Sequence, residues 1–222
     1  MMRYQQEMEI KRSGSQPSGK GPADFLLSAD VDCDNPSGMS TKKLILIALG
    51  SLVWGMLPAS AGEFPDSWTW DDKPAVRADH AALEGKHMPP FSVTDWINGG
   101  VTSAGVKGKV IVVDFYATWC GPCMAAIPHN NEMLKKYQSQ GLVIIGVCTN
   151  KRGQENFTAN AMEHSIEYPA ARDAELKSQS AWAVHYYPTY AIIDRKGIVR
   201  TIGLQPQYVE GVVQKLLAEP AP

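Results

Sequence analysis

The feature that most restricts what this chain can fold into is the apolar run Val110-Ile111-Val112-Val113-Asp114-Phe115, closely followed by Trp119-Cys120-Gly121-Pro122-Cys123. A short, β-branched and nearly continuous run predicts a central strand covered on both faces. From Cys120 the pattern turns helical and continues to about Gln140, with Leu134 and Tyr137 on the apolar side and Gly141 as a stop. Leu142 to Val147 reads as the next buried strand. Strand, helix and strand joined in this way require a parallel pair.

That setting gives the two cysteines their chemistry. Cys120 falls at or just before the first helical turn, where unpaired backbone N–H groups and the helix dipole favour an anion. Its thiolate is therefore stabilised, and it is the attacking sulfur. Cys123 lies three residues further on, about one turn, so the sulfurs share a face and can close a disulfide. It is the resolving sulfur. Pro122 fits because the first turn does not need its N–H, and Gly121 lets a partner chain approach closely. The same spacing also serves half of a zinc site, but a closed site needs four ligands, and the chain has neither a second Cys-x-x-Cys nor a nearby His pair. A copper carrier would combine the cysteines with a distant His, and no His lies beside the motif. No metal or other cofactor is expected beyond the redox-active Cys120–Cys123 pair.

Asp114 places a carboxylate inside the apolar strand, six residues before Cys120. Either it reaches solvent at the strand end, or burial raises its pKa and lets it take and return the proton of Cys123 as a mixed disulfide resolves. Tyr187-Pro188-Thr189 precedes a further buried strand, and the sequence leaves the isomer of that proline open. Cys148, at the end of the second strand, reads as an inert core cysteine, and His129, His164 and His185 as surface or structural residues without ligand spacing. The formal net charge is −2, with no long run of Lys or Arg, so nothing draws the chain to nucleic acid or anionic lipid.

The rest of the chain frames this centre. Gln154 to about Ser165 and Ala174 to about Val184 are expected helices, with Phe157, Ala161, Leu176 and Trp182 in the core. Tyr190 to Asp194 and Ile198 to Ile202 are strands joined by an Arg195-Lys196-Gly197 turn, and a last helix from about Gln207 to Leu217 turns Val209, Val212, Val213, Leu216 and Leu217 to one face. A strand-helix-strand half followed by a strand-strand-helix half makes a layered α/β domain from residue 89 to 222. Phe91 to Trp96 and the Asn98-Gly99-Gly100 turn suggest a small N-terminal β-hairpin, and residues 62–88 a loosely structured lead-in.

Lys42-Lys43, the apolar run Leu44 to Leu57 and Ala59-Ser60-Ala61 read as an export signal over residues 39–61. The run is shorter than the about 20 residues a spanning helix needs, so cleavage near Ala61 is expected, the alternative being a membrane anchor. Residues 1–38 are polar and rich in Ser, Gly, Pro and Asp, a disordered extension or a stretch ahead of the true start at Met39. Cys33 is then lost, leaving Cys120, Cys123 and Cys148, too few to staple a scaffold. In an oxidising compartment such as the periplasm, an exposed dithiol stays oxidised unless a partner reduces it.

Taken together these residues resemble the thioredoxin fold from about Pro89 to Leu217, and more narrowly the TlpA/ResA-like exported thioredoxins. The likeness rests on Pro89-Pro90-Phe91, Gly108-Lys109 before the strand, Ala117-Thr118-Trp119-Cys120, Pro128, and Ile193-Asp194 with Gly197 after Pro188. It implies a central mixed β-sheet flanked by helices, with a family-type insertion over residues 150–184. Pro188 would be cis and face the Cys pair, the backbone of Tyr187 would pair with an extended substrate, Trp119 would act as a lid over the sulfurs, and Pro128 would kink the first helix. The substrate-binding set is then Trp119, Gly121, Pro122, Tyr187 and Pro188. The implied activity is thiol-disulfide exchange, usually reduction of disulfides in secreted proteins, including apocytochromes c awaiting haem, with recharging by a membrane thiol electron donor. Running backward, the same parts oxidise. A peroxidase of the peroxiredoxin kind shares the fold, but it wants Pro seven and Thr three residues before its reactive Cys, where this chain has Val113 and Ala117.

Overall fold

The computed structural model describes residues 63–222, so the expected extension over 1–38 and export signal over 39–61 lie outside the described residues. The centre is a mixed sheet of β1 (Thr94–Ile97), β2 (Val110–Tyr116), β3 (Leu142–Cys148), β4 (Ala170–Arg172), β5 (Thr189–Ile193) and β6 (Val199–Leu204). Their order is β1-β4-β3-β2-β5-β6. β2 runs parallel to β3 from Val110 opposite Leu142 to Tyr116 opposite Cys148, joined by α3 (Gly121–Tyr137). Gly141, at φ 102°, takes the left-handed conformation that stops the helical segment, and Val110 bonds its carbonyl. β5 lies antiparallel to β2 on the other side, with Phe115 opposite Thr189.

Every residue of β2 is buried, as a strand covered on both faces requires. Its alternation sorts the core into two clusters. Val110, Val112 and Tyr116 pack with Cys120, Cys123 and Ile127 of the α3 segment, with Phe157 and Ala161 of α4 (Phe157–Glu163), and with Val209, Val212 and Leu216 of α6 (Pro206–Ala218). Ile111, Val113 and Phe115 pack on the opposite face with Val106 of α2 (Ser103–Val106), Trp182 and Val184. Trp182 follows α5 (Lys177–Ala181) and is fully buried, stacked on Phe91 at 5.1 Å and tilted against Phe115 at 5.4 Å.

Three expectations need correction. The N-terminal hairpin does not form: β1 pairs antiparallel with β4 instead. Thr102 caps the short helix α2 by accepting the Gly105 N–H, so the chain after the Asn98-Gly99-Gly100 turn enters a helix and not a return strand. Asn98 meanwhile holds β1 to the β4 side through the carbonyls of Ile166 and Tyr168. Leu176 is half-buried and sits at φ 57° ahead of α5, so the helix begins later than its apolar pattern suggested and Leu176 is not a core position.

The lead-in is also ordered. Residues 66–68 form a 3-10 turn, α1 spans Pro74–Ala81, and the segment lies along β6 with Thr69 bridged to Leu204 and His87 to Ile198. Gly85 N–H donates to Val199 and Trp70 N–H to Gly203. Polar side chains hold it there. Arg77 spans Asp66 and Glu84, while fully buried His80 meets Asp71 through Nδ1 at 2.8 Å and donates from Nε2 to the Ala183 carbonyl at 2.9 Å. The Tyr186 hydroxyl donates to the same Asp71. Such contacts leave no apolar period in the sequence, which is why the segment read as loose.

Candidate active site

The polypeptide leaves β2 at Tyr116, turns through Ala117 to Trp119, and starts α3 at Gly121, so the motif occupies a strand-to-helix junction. Cys120 is the N-cap of α3. Its backbone is extended (φ −83°, ψ 100°) and its Sγ accepts the Cys123 N–H at 3.2 Å, the bond an oxygen cap ordinarily takes. Pro122 stands in the first turn, where a missing N–H costs nothing. A Cβ on Gly121 would meet nothing, so that face is open to an approaching chain. Cys120 and Cys123 are joined as a disulfide with Cα atoms 5.2 Å apart, and Cys120 is 4% and Cys123 1% exposed. Once the bond opens, a thiolate on Cys120 has the Cys123 N–H and the positive end of α3 directed at it.

Trp119 is the exposed side chain beside the pair, at 48%. Its indole N–H donates to Asn150 Oδ1 at 3.4 Å, the Arg152 guanidinium carbon lies over its ring 5.5 Å from the centroid, and Tyr187 meets it edge-on at 5.9 Å. The Tyr187–Pro188 bond is cis. Because Thr189 pairs with Phe115, Tyr187 and Pro188 lie at the end of β2 from which the motif departs. The Tyr187 hydroxyl bonds Thr149 at 2.9 Å and Gln179 at 3.1 Å, which ties this loop to the segment after β3. Pro128 stands inside α3, where it removes the N–H that would bond the Met124 carbonyl.

Asp114 does not reach solvent; it is 1% exposed. It shares the face of β2 that packs under α3, and Asn130, on the Cys123–Ile127–Asn130 stripe of that helix, donates to its Oδ2 at 3.0 Å. The Tyr168 hydroxyl donates to the same oxygen at 3.1 Å, and Asn130 also donates to the Tyr190 hydroxyl at 2.9 Å. Oδ1 has no partner among the described residues. Burial pushes the carboxyl up to about 7, and the bonds from Tyr168, Tyr190 and Asn130 offset that only in part. A group titrating there can hold or release a proton at neutral pH.

The structure thus gathers Trp119, Cys120, Gly121, Pro122, Cys123, Tyr187 and Pro188 at one end of the sheet, with Asp114 beneath α3. Sequence reasoning missed Asn130, Tyr168 and Tyr190 around Asp114, and Asn150 and Arg152 around Trp119. For Asn130 there was a signal: an amide on the buried stripe of α3, seven residues after Cys123. Cys148 is buried in the same core cluster as the pair but is not bonded to it, its thiol pushed up to about 12 by burial. His129 lies near Glu210 and His185 against Asp79, both outside the motif. Among the described residues no three metal-ligating side chains gather, and no helix is long and apolar enough to cross a membrane.

Residues 85–202 match the model of the AhpC/TSA family. The thiol-disulfide oxidoreductase ResA of Bacillus cereus is 32% identical over 137 residues, 60% of this chain and 78% of that protein. The crystal structure of a putative thiol:disulfide interchange protein DsbE from Chlorobium tepidum superposes with a TM-score of 0.52 at 30% identity, covering 60% of this chain and 94% of that one. A thiol-disulfide isomerase from Corynebacterium glutamicum, at 22% identity and a TM-score of 0.53 over 60% of this chain and 96% of its own, shares the fold. With a six-stranded thioredoxin-like sheet carrying a Cys pair at the head of its first long helix, the chain belongs to the AhpC/TSA family as a thioredoxin-like thiol-disulfide oxidoreductase of the ResA/DsbE type.

Proposed function

We propose that this chain is an exported reductase of disulfides in secreted proteins, apocytochromes c awaiting haem among them, with residues 39–61 as its export signal and a membrane thiol donor recharging it. The observation that carries the chemistry is the position of Cys120 as the N-cap of α3, its sulfur accepting the Cys123 N–H. A sulfur held there favours the thiolate and is the nucleophile. In the reduced enzyme the Cys120 thiolate attacks one sulfur of the substrate disulfide: a Cys120–substrate S–S bond forms, the substrate S–S bond breaks, and the departing thiolate takes a proton. Cys123 then gives its proton to Asp114 and attacks Cys120 Sγ. The second substrate thiolate leaves and is protonated, so the substrate gains two electrons and two protons and the enzyme holds the Cys120–Cys123 disulfide. A dithiol donor reverses the enzyme's half of the exchange.

Trp119 and the Tyr187–Pro188 backbone form the platform on which an extended substrate is laid. Support for this reading comes from the edge contact between Trp119 and Tyr187 and from the open face at Gly121. Replacing Cys123 with Ser removes the resolving sulfur, so Cys123→Ser should accumulate substrates on Cys120 as mixed disulfides identifiable by mass spectrometry. The direction is read by the redox potential of the pair against glutathione, where about 30 mV corresponds to 1.4 kcal/mol. A strongly oxidising potential, or a variant that traps no more than the wild type, would end the reductase reading.

A further inference from the structure

Beside the Cys pair lies a cleft of about 420 Å3 whose walls include Thr118, Trp119, Arg152, Asn156, Asn160 and Glu163. One wall is the motif itself. The other is the loop after β3 together with α4, and the two are pinned together. Asn150 Oδ1 accepts both the Arg152 backbone N–H at 2.9 Å and the Trp119 indole N–H at 3.4 Å. Thr118 Oγ1 donates to the Gly153 carbonyl at 2.9 Å, and Asn160 Nδ2 donates to the Thr118 carbonyl at 3.2 Å. Gly153, at φ 74°, is crossed so closely by Thr118 that an added Cβ would stand 2.5 Å from its hydroxyl oxygen. A loop tied to the motif at so many points presents its next side chain in a defined place.

That side chain is Arg152. It is exposed, forms no ion pair among the described residues, and lies over the Trp119 ring at 5.5 Å. The guanidinium lies over the ring and its N–H groups have no hydrogen-bond partner among the described residues, which leaves free the fork that matches a carboxylate. Lys151 adds a second exposed cation on the same loop, while Glu163 stands on the α4 side of the cleft. Trp119 is the direct neighbour of Cys120, so Arg152 stands one side chain away from the attacking sulfur. The geometry points to Arg152 as a specificity-determining residue that recognises a carboxylate, Asp or Glu, beside the disulfide of a polypeptide substrate. This rests on the oxidoreductase reading above and adds to it the charge of the preferred substrate. Mutual attraction at such an exposed pair is modest and is weakened by salt.

The test uses the reduced full-length protein and three disulfide peptides that differ only in the residue next to one cysteine, Glu, Gln or Lys, with 2-hydroxyethyl disulfide as an uncharged small substrate. For the wild type, kcat/KM should rank Glu above Gln above Lys, with about a three- to tenfold span carried by KM, as expected for one exposed pair plus the matching repulsion. Arg152→Glu should reverse the ranking and Arg152→Lys should keep its direction, and about 0.5 M salt should shrink the span toward one. Because each ranking is a ratio within one protein, a partly unfolded variant still reports it. Equal values for all three peptides in the wild type, or a ranking that Arg152→Glu leaves in place, would overturn the assignment of Arg152 while turnover of 2-hydroxyethyl disulfide leaves the oxidoreductase reading standing. Failure of the wild type on all four substrates would remove both.

Discussion

Asp114→Asn should make this protein more stable and less active, and the two effects should separate with pH. The carboxyl ordinarily titrates near 3.8 and here near 7, because burial disfavours its charge more than Asn130, Tyr168 and Tyr190 favour it. The folded protein therefore binds the proton more tightly than the unfolded chain. Stability from this group is complete below about pH 4 and is lost as pH rises toward and through 7, a loss on the order of 4 kcal/mol. An Asn has the shape of the protonated acid: its oxygen accepts from Asn130 and Tyr168 as Oδ2 does, and its amide stands where Oδ1 lacks a partner. It cannot ionise, so the penalty disappears. Thermal unfolding of the oxidised proteins from pH 4 to 8 should show near-equal midpoints at the acid end and an Asn variant higher by roughly 10 °C at pH 8, at 2–4 °C per kcal/mol for a domain of this size. Removing the group we propose as acceptor of the Cys123 proton should also slow resolution of the mixed disulfide by about tenfold or more at neutral pH. A midpoint gap that does not change with pH, or a wild type that is the more stable protein at pH 8, would refute the reasoning.

Two further outcomes follow from the core. In the reduced protein, iodoacetamide at pH 8 should label Cys120 and spare Cys148 by a wide margin, because burial pushes the Cys148 thiol up to about 12 and closes it to reagent; peptide mapping reads the ratio, and equal labelling would contradict the buried placement. Trp182→Ala should lower stability by about 3–5 kcal/mol in denaturant titration, as expected for emptying the stack between Phe91 and Phe115, and a loss under 1 kcal/mol would mean that the site collapses to fill the space.

What the sequence made legible is what adjacent residues decide. β2 and β3 announce themselves because each is a short apolar run rich in β-branched residues, and the start of α3 because Gly121 and Pro122 follow a strand within a few residues. The reactive pair is legible for the same reason: its chemistry depends on one turn of helix. The surroundings of Asp114 are not, since Asn130, Tyr168 and Tyr190 come from three distant stretches that only the folded sheet and helix bring together. β4 is three residues long, too short to carry a period, so the true partner of β1 was invisible and a local hairpin took its place. Arg152 reads in sequence as one more surface charge; the bonds that fix it over Trp119 run through Asn150, whose role depends on the path of the loop.

β6 is the outermost strand on its side of the sheet, and the residues between Trp68 and Met88 lie against it. An outer strand with unsatisfied N–H and C=O groups is a template on which a second copy can pair, the first step toward aggregates. Here Gly203 and Val199 spend those groups on the arm of their own chain. A polypeptide trimmed to begin at Pro89 would retain both reactive sulfurs but lose this self-made stopper, leaving the Val199 and Gly203 groups bare for a second copy to pair with.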